Sequence, residues 1–352
     1  MSDLAGQQFV KFTPERIRRY KKAGYRIIGK HKHSAVEICR WTKSVLRGKR
    51  NCYKRWYGIL SHRCIQMTPT LDFCDFSCKF CWRIFSEDRF KSENKWDDPK
   101  TIVDEAIKAQ QELLIGFKGN PKTPRELFEQ AMRPVHFAIS LDGEPTLYPY
   151  IAELIKEIKS RGYTAFLVTN GTMPHRLKEL LEKDAIPTNL YISVYATNEK
   201  DYKEITNSFI PNPFERVVES LKLLKEFNKT DCRTIFRITC VKGLNMHDAE
   251  GFAELIKLSE PKFVELKGYS WLGESRKRLS KENVPTLEEL IEFGEKISKL
   301  TGYKIKMTDE ASRVVMLVRS EEIWKKNLEL IKQQMERIKQ IDEEYKKGKL
   351  FK

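Results

Sequence analysis

The chain has 352 residues and a formal net charge of +16, from 65 Lys and Arg against 49 Asp and Glu. That length suffices for one large α/β barrel or two ordinary domains, so a buried site is feasible. No apolar run approaches the ~20 residues that span a bilayer, and Met1–Lys11 lacks the basic-then-apolar order of a signal peptide, so a helical membrane protein is excluded and a soluble, cytoplasmic protein is expected.

The charge is concentrated near the start. Between Arg16 and Arg63 there are sixteen Lys or Arg and one acid, Glu37. A block this dense repels itself unless a polyanion neutralises it, and nucleic acid is the commonest such partner. The plainer reading is a solvated surface. Tyr20, Tyr25, Trp41, Tyr53, Trp56 and Tyr57 interleave the charges; such rings stack on unpaired bases or simply form core. Helices are predicted over Pro14–Ala23 and Ala35–Leu46.

From Cys64 onward, short β-branched or aromatic runs alternate with longer amphipathic ones, the pattern of an α/β protein with a parallel sheet wrapped by helices. Strands are predicted at Cys64–Thr70, Val135–Leu141, Thr164–Thr169, Asn189–Tyr195, Arg233–Val241 and Phe263–Gly268. Helices are predicted at Thr101–Leu114, Tyr150–Arg161, Pro174–Lys183, Pro213–Phe227, Ala249–Leu258 and Thr286–Leu300. The last of these opens with Thr286 and Glu289 at capping-box spacing. An apolar run, Val314–Val318, and a charged helix, Glu321–Lys347, follow. The expected organisation is an N-terminal extension (1–63), a barrel (64–300) and a C-terminal strand and helix (301–352).

Six of the eight cysteines fall within Cys39–Cys81, a clustering that points to metal, since the chain is long and not loop-rich. Cys74-Asp75-Phe76-Ser77-Cys78-Lys79-Phe80-Cys81 follows a predicted strand, at the end where β/α barrels place their active sites. Three thiolates at this spacing can ligate three irons of a 4Fe–4S cluster and leave the fourth open. Zinc ribbons mostly use paired CxxC spacings instead.

The CxxxCxxC spacing resembles the radical S-adenosylmethionine (SAM) superfamily, which implies a partial (β/α)6 TIM-like barrel and SAM as cofactor. By that resemblance Phe80 lies beside the adenine. Asp142-Gly143-Glu144-Pro145 is similar to the motif that holds SAM's ammonium, with Asp142 in place of a Gly or Ser. Thr169, Asn170 and Ser193 stand where relatives present polar groups to the SAM carboxylate and ribose, although Asn-Gly after a strand is more often a turn. The turn Val241–Gly243 is a weaker candidate for adenine.

Cys39, Cys52 and Cys64, nearly evenly spaced, would suit a second 4Fe–4S cluster with its own open iron, as against metal-free core thiols or zinc completed by His33 or His62. This triad, the extended motif through Trp82-Arg83, the run Leu141–Thr146 and Val264-Glu265-Leu266-Lys267-Gly268-Tyr269 together resemble the 4-demethylwyosine synthase family. The resemblance implies condensation of N1-methylguanosine, beside the anticodon of phenylalanine tRNA, with two carbons of pyruvate. It also implies that Lys54, in Cys52-Tyr53-Lys54-Arg55, forms a Schiff base with pyruvate. Eukaryotic members carry a flavodoxin-like domain without counterpart in this sequence, so a separate flavodoxin- or ferredoxin-type electron donor is expected, serving a monomeric enzyme. A tRNA methylthiotransferase and a non-catalytic zinc-stabilised RNA-binding module are the alternatives; the former places its early cysteines on a separate, more widely spaced domain.

Overall fold

The structure, a computed structural model, describes residues 13–83 and 95–347. The reading of Met1–Lys11 lies outside the described residues. Ten strands form one sheet among them: β1 (Tyr25–Ile28), β2 (Ser34–Glu37), β3 (Cys64–Thr68), β4 (His136–Ile139), β5 (Thr164–Thr169), β6 (Asn189–Val194), β7 (Arg233–Cys240), β8 (Phe263–Gly268), β9 (Lys304–Asp309) and β10 (Val314–Val318). Their order is β1-β2-β3-β4-β5-β6-β7-β8-β10-β9. The six predicted strands are β3 to β8, all parallel. Helices connect them, the arrangement that a parallel pair requires.

Antiparallel strands extend both edges of this half-barrel. β1 and β2 continue it at β3, while β10 and β9 continue it at β8. The helix expected over Ala35–Leu46 is thereby corrected. Its front half is β2, and only Arg40–Val45 is helical. Ala35 and Val36 are both fully buried, so pairing with β1 and β3 overrides the helical pattern. β9 was likewise not expected; its largely half-exposed, Lys-bearing pattern suits an edge strand.

Alternation along each strand gives the sheet two faces. One, with Ile65, Phe137, Leu167, Ile192, Phe236, Ile238 and Leu266, packs on the helices as the main core. Against the other lies a short 3-10 turn, Tyr53–Tyr57, whose Tyr53, Trp56 and Tyr57 pack on Tyr191, Ile235, Phe263, Val314 and Met316. The end of the N-terminal extension is therefore packed on the inner face of the sheet, while β1 and β2 of the same extension lengthen its edge. The 26-residue helix Glu321–Lys346 closes over that turn from outside. Asn327 donates to the Trp56 carbonyl (2.9 Å) and Gln334 to that of Gly58 (2.7 Å), while Asp342 accepts two bonds from buried Arg63 (2.8 and 3.0 Å). The predicted capping box forms at Thr286 and Glu289.

Candidate active site

A cavity of about 650 Å³ opens on the strand face that carries the turn. Cys74, Cys78 and Cys81 line it, as do Cys39, Cys52 and Cys64, so both triads look into one space. Their backbone settings differ. Cys39 precedes the helix Arg40–Val45, Cys52 precedes the 3-10 turn, and Cys64 begins β3. The segment holding Cys74 to Cys81 is a loop tied on both flanks. Ser77 and Lys79 N–H groups donate to Thr206 and Ile205 carbonyls (2.8 and 2.9 Å), and Arg278 donates to the carbonyls of Lys79 (3.1 Å) and Cys81.

Burial pushes the thiols of Cys52 and Cys64 up to about 12, with Cys39 adding and Lys54 opposing. Thiols so shielded release their protons when they take up metal. Among the described residues no three His, Cys, Asp or Glu converge as ligands of a single ion. A cluster, whose irons each take one thiolate, spaces its ligands more widely, and two open-sided thiol triads on a roomy cavity fit that donor set. The imidazoles invoked for zinc are occupied elsewhere: His33 accepts from the Asp97 N–H (2.8 Å) and His62 bonds Gln130 (2.8 Å). Neither lines the cavity.

Gly143 and Glu144 lie on the wall, together with Phe80, Thr169, Asn170 and Ser193. Pro145 does not; it starts a 3-10 turn that Glu144 caps. The Val241–Gly243 turn is also absent from the wall. Glu144 is buried and accepts from Thr169 Oγ1 (2.6 Å) and the Asn170 N–H (2.7 Å), so these two residues first serve to hold the carboxylate. Burial, with Asp75 adding, pushes Glu144 up to about 7 despite those bonds. Such a carboxylate gains from an incoming ammonium. Phe80 faces the cavity next to Tyr195, ring centroids 4.9 Å apart.

Lys54 projects from the 3-10 turn onto the same wall, its Nζ 5.0 Å from the Tyr191 ring centroid. The two tyrosines of its turn donate to Glu265, which is fully buried on β8: Tyr53 at 3.1 Å and Tyr57 at 2.8 Å. Arg237 of β7 and Lys267 of β8 also face the cavity. Burial, with Arg237 and Arg313 adding, brings the Lys267 ammonium down to about 7. Arg237, Glu265 and Lys267 were missed as site residues. Charges at alternate positions of an otherwise apolar strand, as in Val264–Lys267, were the available signal.

The half-barrel with a CxxxCxxC loop at its strand ends defines a radical SAM enzyme, and the Radical SAM superfamily profile matches residues 68–256. A second profile, Wyosine base formation, matches 258–319, the segment that supplies β8 to β10. The chain is 46% identical over 306 residues to the S-adenosyl-L-methionine-dependent tRNA 4-demethylwyosine synthase of Pyrococcus horikoshii, covering 86% of this chain and 88% of that protein. The Pyrococcus abyssi enzyme of the same description is 46% identical over 313 residues, 88% of this chain and 90% of that one. Among solved structures, TYW1 with a lysine–pyruvate adduct bound superposes with a TM-score of 0.78 at 33% identity, covering 88% of this chain and 96% of that one. An archaeal TYW1 gives 0.71 at 30%, covering 88% and 97%. The chain belongs to the S-adenosyl-L-methionine-dependent tRNA 4-demethylwyosine synthase family of radical SAM enzymes, which act on tRNA with SAM and a 4Fe–4S cluster. No helix among the described residues is long and apolar enough to cross a membrane.

Proposed function

We propose that the protein condenses N1-methylguanosine, beside the anticodon of phenylalanine tRNA, with two carbons of pyruvate to form 4-demethylwyosine. The observation that carries this reading is the meeting of six cysteines and Lys54 on one cavity wall. A 4Fe–4S cluster on Cys74, Cys78 and Cys81 would supply the electron that reductively cleaves SAM, and a second on Cys39, Cys52 and Cys64 would stand beside the pyruvate. Glu144, held by Thr169 and Asn170, receives SAM's ammonium, with Gly143, Phe80 and Ser193 shaping the rest of that subsite.

Lys54 captures pyruvate: its amine adds to the ketone carbon, the carbon–nitrogen double bond forms and the ketone oxygen leaves as water. Fixing the amine on a turn anchored by Glu265 keeps it aimed at the cavity, which lowers the entropic cost of bringing two substrates together. The exposed cations of the basic stretch, among them Arg18, Lys21, Lys22 and Lys49, receive the tRNA phosphates. A separate flavodoxin- or ferredoxin-type protein supplies electrons to the monomer, and the cytoplasm is where tRNA and both co-substrates meet.

The test is an anaerobic reaction of iron-loaded protein with methylated tRNA, pyruvate, SAM and a reductant, followed by mass analysis of the nucleosides. The expected result is the tricyclic nucleoside from the native protein and none from Lys54→Ala. A Lys54→Ala variant that makes the tricycle at the native rate would overturn the role of Lys54. Absence of the tricycle with the native protein would overturn the reaction itself.

A further inference from the structure

Arg237 stands midway along β7, in register with Ser193 of β6 on one side and Glu265 of β8 on the other. It is half-buried and faces the cavity. Most cations on that wall are already engaged. Lys267 donates to the carbonyls of Gly268 (3.2 Å) and Ser312, Arg83 to Glu37 (3.2 Å), and Arg313 to Ser270 Oγ (3.0 Å). Arg40 is exposed and lies over Trp41.

The guanidinium of Arg237 makes no hydrogen bond and no ion pair within the described residues. Its carbon sits 6.0 Å from the Tyr191 ring centroid, the same ring that Lys54 Nζ approaches to 5.0 Å. The nearby carboxylate, Glu265, already accepts from Tyr53 and Tyr57. Burial works against a charge on Arg237, but Tyr53 and Glu265 outweigh it and hold the group cationic.

An amine and an unengaged guanidinium therefore both approach the buried Tyr191 ring and both line the one cavity. A 2-oxo acid bound through its ketone to the amine keeps a carboxylate one bond from the new double bond. Away from bulk water that charge is costly unless it is paired. A guanidinium presents two parallel N–H groups that match both carboxylate oxygens.

We propose that Arg237 receives the carboxylate of the 2-oxo acid that Lys54 captures, and so selects a 2-oxo acid over a neutral ketone. The inference rests on the reading of Lys54 given above. It assigns Arg237 a contact with substrate, and it leaves Glu265 as a positioning residue that orients Lys54 through the two tyrosines.

The experiment traps the imine on iron-loaded, full-length protein with cyanoborohydride, using pyruvate or the neutral ketone hydroxyacetone, and maps the labelled peptide. Formation of 5′-deoxyadenosine from SAM is followed in parallel. For Arg237→Gln the pyruvate concentration giving half-trapping is expected to rise roughly ten- to a hundredfold, while hydroxyacetone labelling changes by no more than about twofold. SAM cleavage should be unchanged.

A glutamine variant that keeps the native preference for pyruvate overturns the proposal, and shows that another group, such as the second cluster, reads the carboxylate. One that loses SAM cleavage in the same proportion overturns it in favour of a SAM contact or a general structural role. Should that variant fail to take up iron, Arg237→Lys decides, because it keeps the charge and loses the fork. A severalfold rise in half-trapping concentration supports the proposal and an unchanged value overturns it. Native protein that shows no label on Lys54 overturns the reading of Lys54, and this inference with it.

Discussion

Gly143 shows how tightly single atoms set this site. Its φ is +68°, in the region L-residues rarely adopt, and a Cβ there would fall on the carbonyl oxygens of Thr70 and Phe73. Backbone crowding of this kind cannot be relieved by a rotamer change. Gly143→Ala is expected to cost about 2–4 kcal/mol and to weaken SAM binding by displacing Glu144, read by thermal unfolding and by calorimetry. A loss within about 0.5 kcal/mol would show that the loop tolerates the shift. Glu265 works differently: one buried acceptor serves two hydroxyls separated from it by more than two hundred positions in sequence. Its importance follows from the tyrosines it satisfies, because an unsatisfied buried hydroxyl costs more than a made bond gains.

The extension's turns are held to the barrel by individual bonds, and one of them is sensitive to pH. His136 of β4 is fully buried; its Nε2 accepts the Leu60 N–H (3.2 Å) and its Nδ1 bonds Thr164 Oγ1 (2.7 Å). Burial, with the charges of Arg63 and His62 adding, lowers it to about 3, against 6.5 ordinarily. Below pH 6.5 the unfolded chain therefore binds a proton that the folded chain refuses, and stability falls as pH drops from 6.5 toward 3. The slope is about 1.4 kcal/mol per pH unit for this one group. Urea unfolding from about pH 7 to about pH 5 should show that loss, and His136→Gln should flatten the curve by one proton's worth. An identical slope in the variant would assign the acid sensitivity to other groups.

At the scale of the whole molecule, the two cysteine triads face a single cavity while resting on different elements. They should therefore load independently. Replacing Cys39, Cys52 and Cys64 together should halve the iron from about eight to about four atoms per chain and leave SAM cleavage without tRNA possible. Unchanged iron would remove the second cluster. The same replacement should also lower the yield of trapped pyruvate more than the yield of 5′-deoxyadenosine, because Lys54 sits two residues from Cys52.

The parallel core, the Cys74–Cys81 loop and the Gly143-Glu144 turn were legible in the chain itself. The first two were read from contiguous spacing and strand alternation, which are local signals, and the turn from its resemblance to the superfamily motif. The convergence of the second triad with Lys54 was suggested by spacing and family resemblance, but the geometry that achieves it was not visible. Pairing of β2 with β3 brings Cys39 and Cys64 to the wall, and the C-terminal helix, through Asn327 and Gln334, backs the turn that carries Lys54. The same is true of β2 being a strand, of β9, and of Arg237 standing beside Glu265. Residues so far apart in sequence acquire a common environment only through sheet register and packing. Local propensity carries no record of those contacts, so only the tertiary structure decided them.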